Sequence, residues 1–251
     1  MVNPLLVHIP LDSPSLTNKA LSISGTCRKG LLFWLLILLG CAGLWSFSEN
    51  QGLRGLWPWL LVASVLSLAS GLIWARFGRI THVVAPFLIV SEAVLLGSIS
   101  VLGVTLVGPA FYCLVGAGLA SSLALFMTCS GLRIASLAEH RERNVVVGWL
   151  WLLSSLLFGL LAYLSHWAGL PLPAFVPLSP LKLILTGLFV FLLLRRQLDD
   201  LIVLERGAGL TEHHYEWSAA AALLFNIVLL LPALGLALFN RLRYHSFWER
   251  M

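Results

Sequence analysis

The sequence predicts an all-α membrane protein, a polytopic bundle of seven transmembrane helices. Of its 251 residues, 59% are apolar and only 11% are charged. Soluble domains are nearer 45–50% apolar and roughly a quarter charged, so this chain has too few polar side chains to cover a water-exposed surface. In addition, apolar stretches of the roughly 17–25 residues needed to cross about 30 Å of hydrocarbon recur along the chain.

The first four predicted spans come from the N-terminal half. The first covers about residues 30–47 and the second about residues 55–75. Between residues 83 and 131 only Glu92 is charged, and this stretch is too long for one crossing. It therefore contains two spans, and we place the break at residues 103–109, where two glycines and a proline cluster.

The last three predicted spans differ in length. The fifth covers about residues 145–167 and the seventh about residues 217–240. The sixth begins near Pro180 with a short apolar core, and its helical pattern continues to a stop at residues 207–209, which hold two glycines. We expect a long helix whose end projects beyond the bilayer or lines a polar interior.

The sequence around the bundle predicts its orientation. Residues 1–29 are polar and predict a flexible cytoplasmic N-terminal tail, residues 30–240 form a single transmembrane domain, and residues 241–251 form a short C-terminal tail. With the N-terminus inside, eleven of the 16 Lys and Arg residues fall in inner segments. The positive-inside rule favours this orientation. We expect the membrane to be a cell inner membrane.

Composition and motifs argue against an enzyme or a nucleic-acid-binding protein. The chain contains no H-E-x-x-H, G-x-S-x-G or P-loop motif, and its basic residues are scattered. The small residues of Gly116-Ala-Gly118 allow close helix packing. The four cysteines form no C-x-x-C and are interpreted as buried apolar residues. No metal site and no cofactor is expected.

Glu92 is the strongest single signal in the sequence. A carboxylate inside a transmembrane helix costs about 2.5–3.5 kcal/mol on insertion scales, so it faces protein or a wet cavity, is protonated, or has a partner. Glu92 is therefore a candidate proton or cation ligand on an ion path. The alternative is a structural anchor that is hydrogen-bonded to a hydroxyl or to a neighbouring main chain, and Ser91, Ser98 and Ser100 are candidates for lining the same span.

Asp199 and Asp200 end the short sixth span. Arg195 and Arg196 lie four residues earlier, so each aspartate has an i,i+4 partner worth a few tenths of a kcal/mol. The alternative is that one aspartate turns into the bundle and gates a pathway. Since neighbouring helix positions point about 100° apart, both cannot face inward equally.

Asn226 is the strong polar side chain within the seventh span. An amide there forms an interhelical hydrogen bond worth about 1 kcal/mol, or it contacts an ion. The sequence leaves both roles open.

Three segments together resemble the Bax inhibitor family, in particular its bacterial branch. The first is Pro86-Phe-Leu-Ile-Val-Ser-Glu92-Ala-Val-Leu-Leu-Gly97-Ser-Ile-Ser100, which is similar to the family's third-span signature. The second is the loop from residue 131 to 148, and the third is residues 198–217, which contain a sixth-span aspartate, a short loop and the start of a last helix. The resemblance covers roughly residues 86–231.

The resemblance implies a seven-helix bundle with the last helix at its centre. It also implies a pH-dependent calcium leak, as in some members, or modulation of membrane proteases or cell-death signalling, as in others. In the family's leak, a sixth-span aspartate pairs with one in the last span. Asp199 matches the first by its spacing to Tyr215, whereas Asn226 or Phe225 lies where the second would be. An Asp–Asn pair can hydrogen-bond but cannot share a proton between two like charges.

The resulting functional hypothesis is passive passage of calcium or another cation, without enzymatic activity. Glu92 provides a carboxylate within the bundle, Asp199 or Asp200 provides a gate, and Arg76 or Arg79 is the ionic partner that holds the gate shut. The alternative is a non-conducting interaction protein that modulates a membrane protease or a stress or cell-death response. The expected partners are the lipid bilayer, a cation and a membrane protein, with no nucleic acid.

Overall fold

The computed structural model describes residues 3–9, 21–52, 55–107, 110–131, 143–167, 180–207 and 212–231. The seven long helices in these residues are numbered in chain order. Their bounds are Ile23–Gln51 for α1, Leu56–Arg76 for α2, Thr81–Val107 for α3, Ala110–Gly131 for α4, Arg143–Trp167 for α5, Pro180–Gly207 for α6 and 216–231 for α7.

The helix boundaries agree with the breakers read from the sequence. α3 ends at Val107 and α4 begins at Ala110, so the break predicted within residues 103–109 is confirmed. α6 runs as one helix from Pro180 to Gly207, which confirms its predicted start and stop. The predicted end of the last span and the C-terminal tail at 241–251 lie outside the described residues.

Six of the described helices are long and apolar enough to cross a membrane, namely α1 to α5 and α7. α6 is not among them, because the polar run that contains Arg195, Arg196, Asp199 and Asp200 occupies its second half. The described residues are therefore helical and include six candidate membrane-spanning helices, whose apolar surfaces indicate a lipid bilayer environment. The seventh transmembrane helix expected from the sequence is not confirmed.

α2 and α5 lie at the periphery of the bundle. Only 17% of the apolar window of α2 and 22% of that of α5 is buried, against 72% for α4. Large apolar side chains such as Leu72 on α2 and Trp149 on α5 are about 70% exposed. Helices that expose so many large apolar side chains are suited to contact with the hydrocarbon of a membrane rather than with water.

Small residues allow α1, α3 and α4 to pack closely. A Cβ atom at Gly97 of α3 would press on Leu44 and on the main chain at Cys41 of α1. A Cβ at Gly116 would meet Phe158 of α5, and one at Gly118 would meet Phe189 of α6. The packing role predicted for the glycines of α4 is therefore confirmed.

α7 lies at the centre of the described bundle. Its residues 219–224 are all 0% exposed. It contacts four other helices, each through a different side chain. The pairs are Trp217 with Phe33 of α1, Ser218 with Thr81 of α3, Ile227 with Gly118 of α4 and Asn226 with Asp200 of α6.

The N-terminal region differs from the flexible tail expected over residues 1–29. α1 already begins at Ile23, where the Ser22 hydroxyl caps the helix by accepting a hydrogen bond from the main-chain N–H of Gly25 at 3.0 Å. Residues 3–9, hereafter the N-terminal segment, pack into the bundle, and Leu5, Leu6 and Ile9 belong to the hydrophobic core. Burial of these three apolar side chains stabilises the segment.

Candidate functional site

The Asp200 carboxylate of α6 lies inside the bundle. It accepts a hydrogen bond from Nδ2 of Asn226 on α7 at 2.7 Å, and both residues are buried. Asp199 is exposed, as expected from the angular step of about 100° between neighbouring helix positions. Of the two aspartates left open by the sequence, Asp200 is the one that faces the interior, although Asp199 had the better spacing match to the family.

Leucines orient α6 so that Asp200 faces inward. Leu198, Leu201 and Leu204 are each no more than 2% exposed. These three and Asp200 recur at helical spacing and share the buried side of the helix. The apolar face of α6 therefore continues through its charged half and carries one carboxylate into the core.

Gln197 makes a second polar contact between α6 and its neighbours. Its Nε2 donates to the Ser122 hydroxyl of α4 at 2.7 Å and to the Leu223 carbonyl of α7 at 3.1 Å. Among the described residues, its buried Oε1 has no hydrogen-bond partner. The interior beside Asp200 thus holds an unpaired oxygen acceptor.

Asn3 of the N-terminal segment completes this site and was not foreseen from the sequence. Its Nδ2 donates to the Ala222 carbonyl at 2.6 Å and to Asn226 Oδ1 at 3.3 Å. Asn3 is thereby linked to Asp200 through Asn226, whose Nδ2 donates to the Asp200 carboxylate at 2.7 Å. The available sequence signal was the short apolar run that follows Asn3, which is too short for a span and was read as part of a tail.

Glu92 of α3 is fully buried, as its position in the span predicts. Among the described residues, neither carboxylate oxygen has a hydrogen-bond partner. The hydroxyls of Ser91 and Ser100 instead donate to carbonyls of their own helix, those of Leu88 and Gly97. The buried Ser98 hydroxyl has no partner among the described residues, so none of the three suggested hydroxyls bonds to Glu92 in this structure.

The arginines expected to pair with the gate lie elsewhere. Arg76 at the end of α2 and Arg79 just beyond it are both exposed. The basic residue that lies one turn before Asp200 on α6 is Arg196. This is the i,i+4 relation that the sequence already offers for Asp200, and among the described residues neither Arg76 nor Arg79 forms an ion pair with it.

A third buried carboxylate, Glu216 at the start of α7, was not predicted from the sequence. Its side chain is 0% exposed and forms an ion pair with Lys29 of α1 at 2.8 Å. Its Oε1 accepts from the main-chain N–H and the hydroxyl of Ser22, both at 2.9 Å, and lies 2.9 Å from Nδ1 of His213. A lysine at the start of the first span and a glutamate at the start of the last were the available signal.

Gly25 leaves room for the Glu216 carboxylate. A Cβ atom at this position would overlap the carboxylate oxygens of Glu216, far inside the distance that real Cβ atoms allow. The first turn of α1 therefore carries a glycine where the buried carboxylate approaches its main chain. The N-terminal end of α1 therefore binds the start of α7 through Ser22, Gly25 and Lys29.

A described cavity lies apart from both carboxylate clusters. It is apolar and is formed by α1, α4 and α5, with Trp45, Tyr112 and Phe158 among its lining residues. Glu92, Asp200 and Asn226 do not line it. In this conformation the cavity does not join the interior carboxylates into one pathway.

Comparison with known proteins gives no match for this chain. No protein-family model, no curated protein and no solved structure matches it. Its resemblance to the Bax inhibitor family therefore stays a prediction that rests on the sequence segments described above. Within the described residues, no group of three or more His, Cys, Asp or Glu side chains is placed to hold a metal ion.

Proposed function

We propose that the protein is a multi-pass inner-membrane protein of the Bax inhibitor type that allows passive passage of a cation such as calcium. In this proposal α6 also crosses the membrane, which brings the number of crossings to seven, and the N-terminus is cytoplasmic. The observation that carries it is the Asp200 carboxylate, which is buried within a bundle of apolar helices and bonded to Asn226 of the central helix.

The energetic cost of interior carboxylates supports a functional role. Placing an acidic side chain at the centre of a membrane helix costs about 2.5–3.5 kcal/mol on insertion scales, and intramembrane ionisable residues commonly mark ion or proton paths. Two such residues, Glu92 and Asp200, are buried on different helices here. Carboxylate and amide oxygens are also the ligands that a hard cation such as calcium prefers.

The structure corresponds to a closed form in this proposal. The Asn226 amide donates a hydrogen bond to the Asp200 carboxylate, and the described cavity reaches neither residue. Opening requires α6 and α7 to separate at this contact, so that a cation replaces the amide hydrogen at Asp200. Arg196, a basic residue one turn before Asp200 on α6, favours the closed form over cation entry.

The rival function is a non-conducting interaction protein. The apolar cavity between α1, α4 and α5 favours it, because a pocket lined by residues such as Leu38 and Leu161 suits an apolar partner. A membrane protease or another membrane protein would then be the partner, and Glu92 and Asp200 would be structural.

Calcium flux into proteoliposomes tests the proposal. We expect calcium entry above that of empty vesicles for the wild type, a large reduction for Asp200→Asn, and little change for Asp199→Asn, which removes an exposed charge next to it. Glu92→Gln should also reduce entry, whereas Glu49→Gln, an exposed glutamate of α1, should not. Entry equal to that of empty vesicles would favour the rival function.

A further inference from the structure

The main-chain and side-chain oxygens around Asn3 form a pocket for a positive group. Nδ2 of Asn3, which carries the partial positive charge of an amide, lies 2.6 Å from the Ala222 carbonyl and 3.3 Å from Asn226 Oδ1. The Asn226 amide in turn donates to the Asp200 carboxylate at 2.7 Å, so this carboxylate lies next to the Asn3 site. Calcium binds oxygen ligands of these three types at about 2.3–2.6 Å.

The position of Asn3 is fixed by the rest of the N-terminal segment. Asn3 is fully buried, and its own Oδ1 accepts a hydrogen bond from the main-chain N–H of Leu5 at 3.0 Å. Nε1 of Trp74, at the end of α2, donates to the Leu5 carbonyl at 3.0 Å. Leu6 and Ile9 are buried in the core. The segment therefore presents the Asn3 amide to α6 and α7 in one orientation.

We propose that the Asn3 amide occupies a cation site formed by Asp200, Asn226 and the Ala222 carbonyl, and that the N-terminal segment is an internal blocker of this site. The proposal rests on the cation passage described above and adds to it the element that competes with the cation. The buried and unpaired Oε1 of Gln197, one turn before Asp200 on α6, is a further oxygen beside the site.

The site has too few protein ligands to bind tightly. Calcium takes six to eight oxygens, and here one carboxylate, one amide and one carbonyl are available, so water supplies the rest and the affinity is about millimolar or weaker. Competition with Asn3 weakens the apparent affinity further, because binding requires the segment to leave. Calcium and the buried position of the segment are therefore mutually exclusive.

Labelling of the segment measures this competition directly. Ile9, which is 4% exposed, is replaced by Cys in the full chain, and the rate of modification by a soluble maleimide is measured with and without millimolar calcium chloride. The wild-type chain, whose described cysteines are all buried, gives the background. We expect calcium at about 10 mM to raise the rate roughly tenfold, since a ligand of about millimolar affinity that binds only the open form raises the population of that form by 1 + [L]/Kd, and Asp200→Asn to abolish the rise. A rate that calcium does not change would overturn the proposal.

Calcium flux of Asn3 variants provides the second measurement. Asn3→Ala should raise calcium entry severalfold, whereas Val7→Ala, which alters an exposed side chain of the same segment, should not. If the wild type admits more calcium than empty vesicles and Asn3→Ala admits the same amount as the wild type, the proposal that Asn3 blocks the site is refuted. Cation passage would then still stand. If calcium changes the labelling rate but neither the wild type nor a variant admits calcium into the vesicles, cation passage is refuted. The cation site and its occupation by Asn3 would then still stand.

Discussion

The buried ion pair between Lys29 and Glu216 should be a major determinant of how α1 and α7 associate. Removing Lys29 as Lys29→Met leaves the fully buried Glu216 carboxylate without its cation, while Oε1 keeps its contacts with Ser22 and His213. Lys29 also lies 5.2 Å from the ring centroid of Trp217, which adds a cation–π contact. We therefore expect this substitution to destabilise the bundle.

The magnitude follows from burial and from the donors that remain. Breaking a fully buried pair costs about 3–5 kcal/mol, whereas exposed pairs contribute about 0.2–1 kcal/mol. The Lys29 side chain is 15% exposed and Glu216 is not exposed, so the pair is nearer to the buried limit. Because the Ser22 donors remain, we expect a loss of about 2 kcal/mol in the free energy of unfolding.

Reversible unfolding in mixed detergent micelles, followed by tryptophan fluorescence, measures this loss. The ten tryptophans of the chain provide the signal. Arg28→Met is the matched control, because Arg28 is the neighbouring basic residue on α1 and is exposed. Adding Glu216→Gln to Lys29→Met should cost less than the sum of the two single changes, since no buried charge is then left unpaired. Equal stability of Lys29→Met and Arg28→Met would refute the reasoning.

Three further predictions concern the close approach at α1, the cysteines and the α6–α7 contact. Gly25→Ala should destabilise the bundle in the same assay because its Cβ meets the Glu216 carboxylate, whereas Gly43→Ala, with open space at its Cβ, should be neutral or stabilising; the opposite order would contradict the packing. A soluble maleimide should modify none of the four cysteines in the folded wild type and all four in SDS, as counted by mass spectrometry; modification of the folded protein would contradict their burial. Asn226→Asp places two carboxylates in contact; they share a proton at low pH and repel each other when both are ionised. Calcium entry through this variant should therefore rise with pH more steeply than entry through the wild type. Parallel pH profiles of the two proteins would contradict this prediction.

The helices could be predicted because their signals are local. Apolar length defines a span, and breakers such as the glycines and proline at residues 103–109 define where a helix ends. The burial of Glu92 followed from the same pattern, since a charge in the middle of a long apolar helix has to be accommodated within the protein. Helical geometry also predicted that Asp199 and Asp200 would differ in orientation.

The partners of the polar residues could not be predicted because they lie far apart in the sequence. Asn3 and Asn226 are joined across 223 positions, and Lys29 and Glu216 across 187. A polar N-terminal region looks the same in the sequence whether or not three of its apolar residues are buried. The choice between Asp199 and Asp200 likewise required the rotation of α6, which its buried leucines set through contacts with other helices.

The proposal that Asp200 and Asn226 gate a cation path is tested most directly by the initial rate of calcium entry into proteoliposomes containing Asn226→Ala. This change removes the hydrogen bond that closes Asp200 and one amide ligand of the proposed cation site, and it keeps the Asp200 carboxylate and the Ala222 carbonyl as ligands. We expect the wild-type rate to exceed that of empty vesicles and the variant rate to be severalfold higher still. If the wild-type rate exceeds that of empty vesicles and the variant rate is equal to the wild-type rate, the gate is contradicted. If both proteins give the rate of empty vesicles, cation passage itself is contradicted.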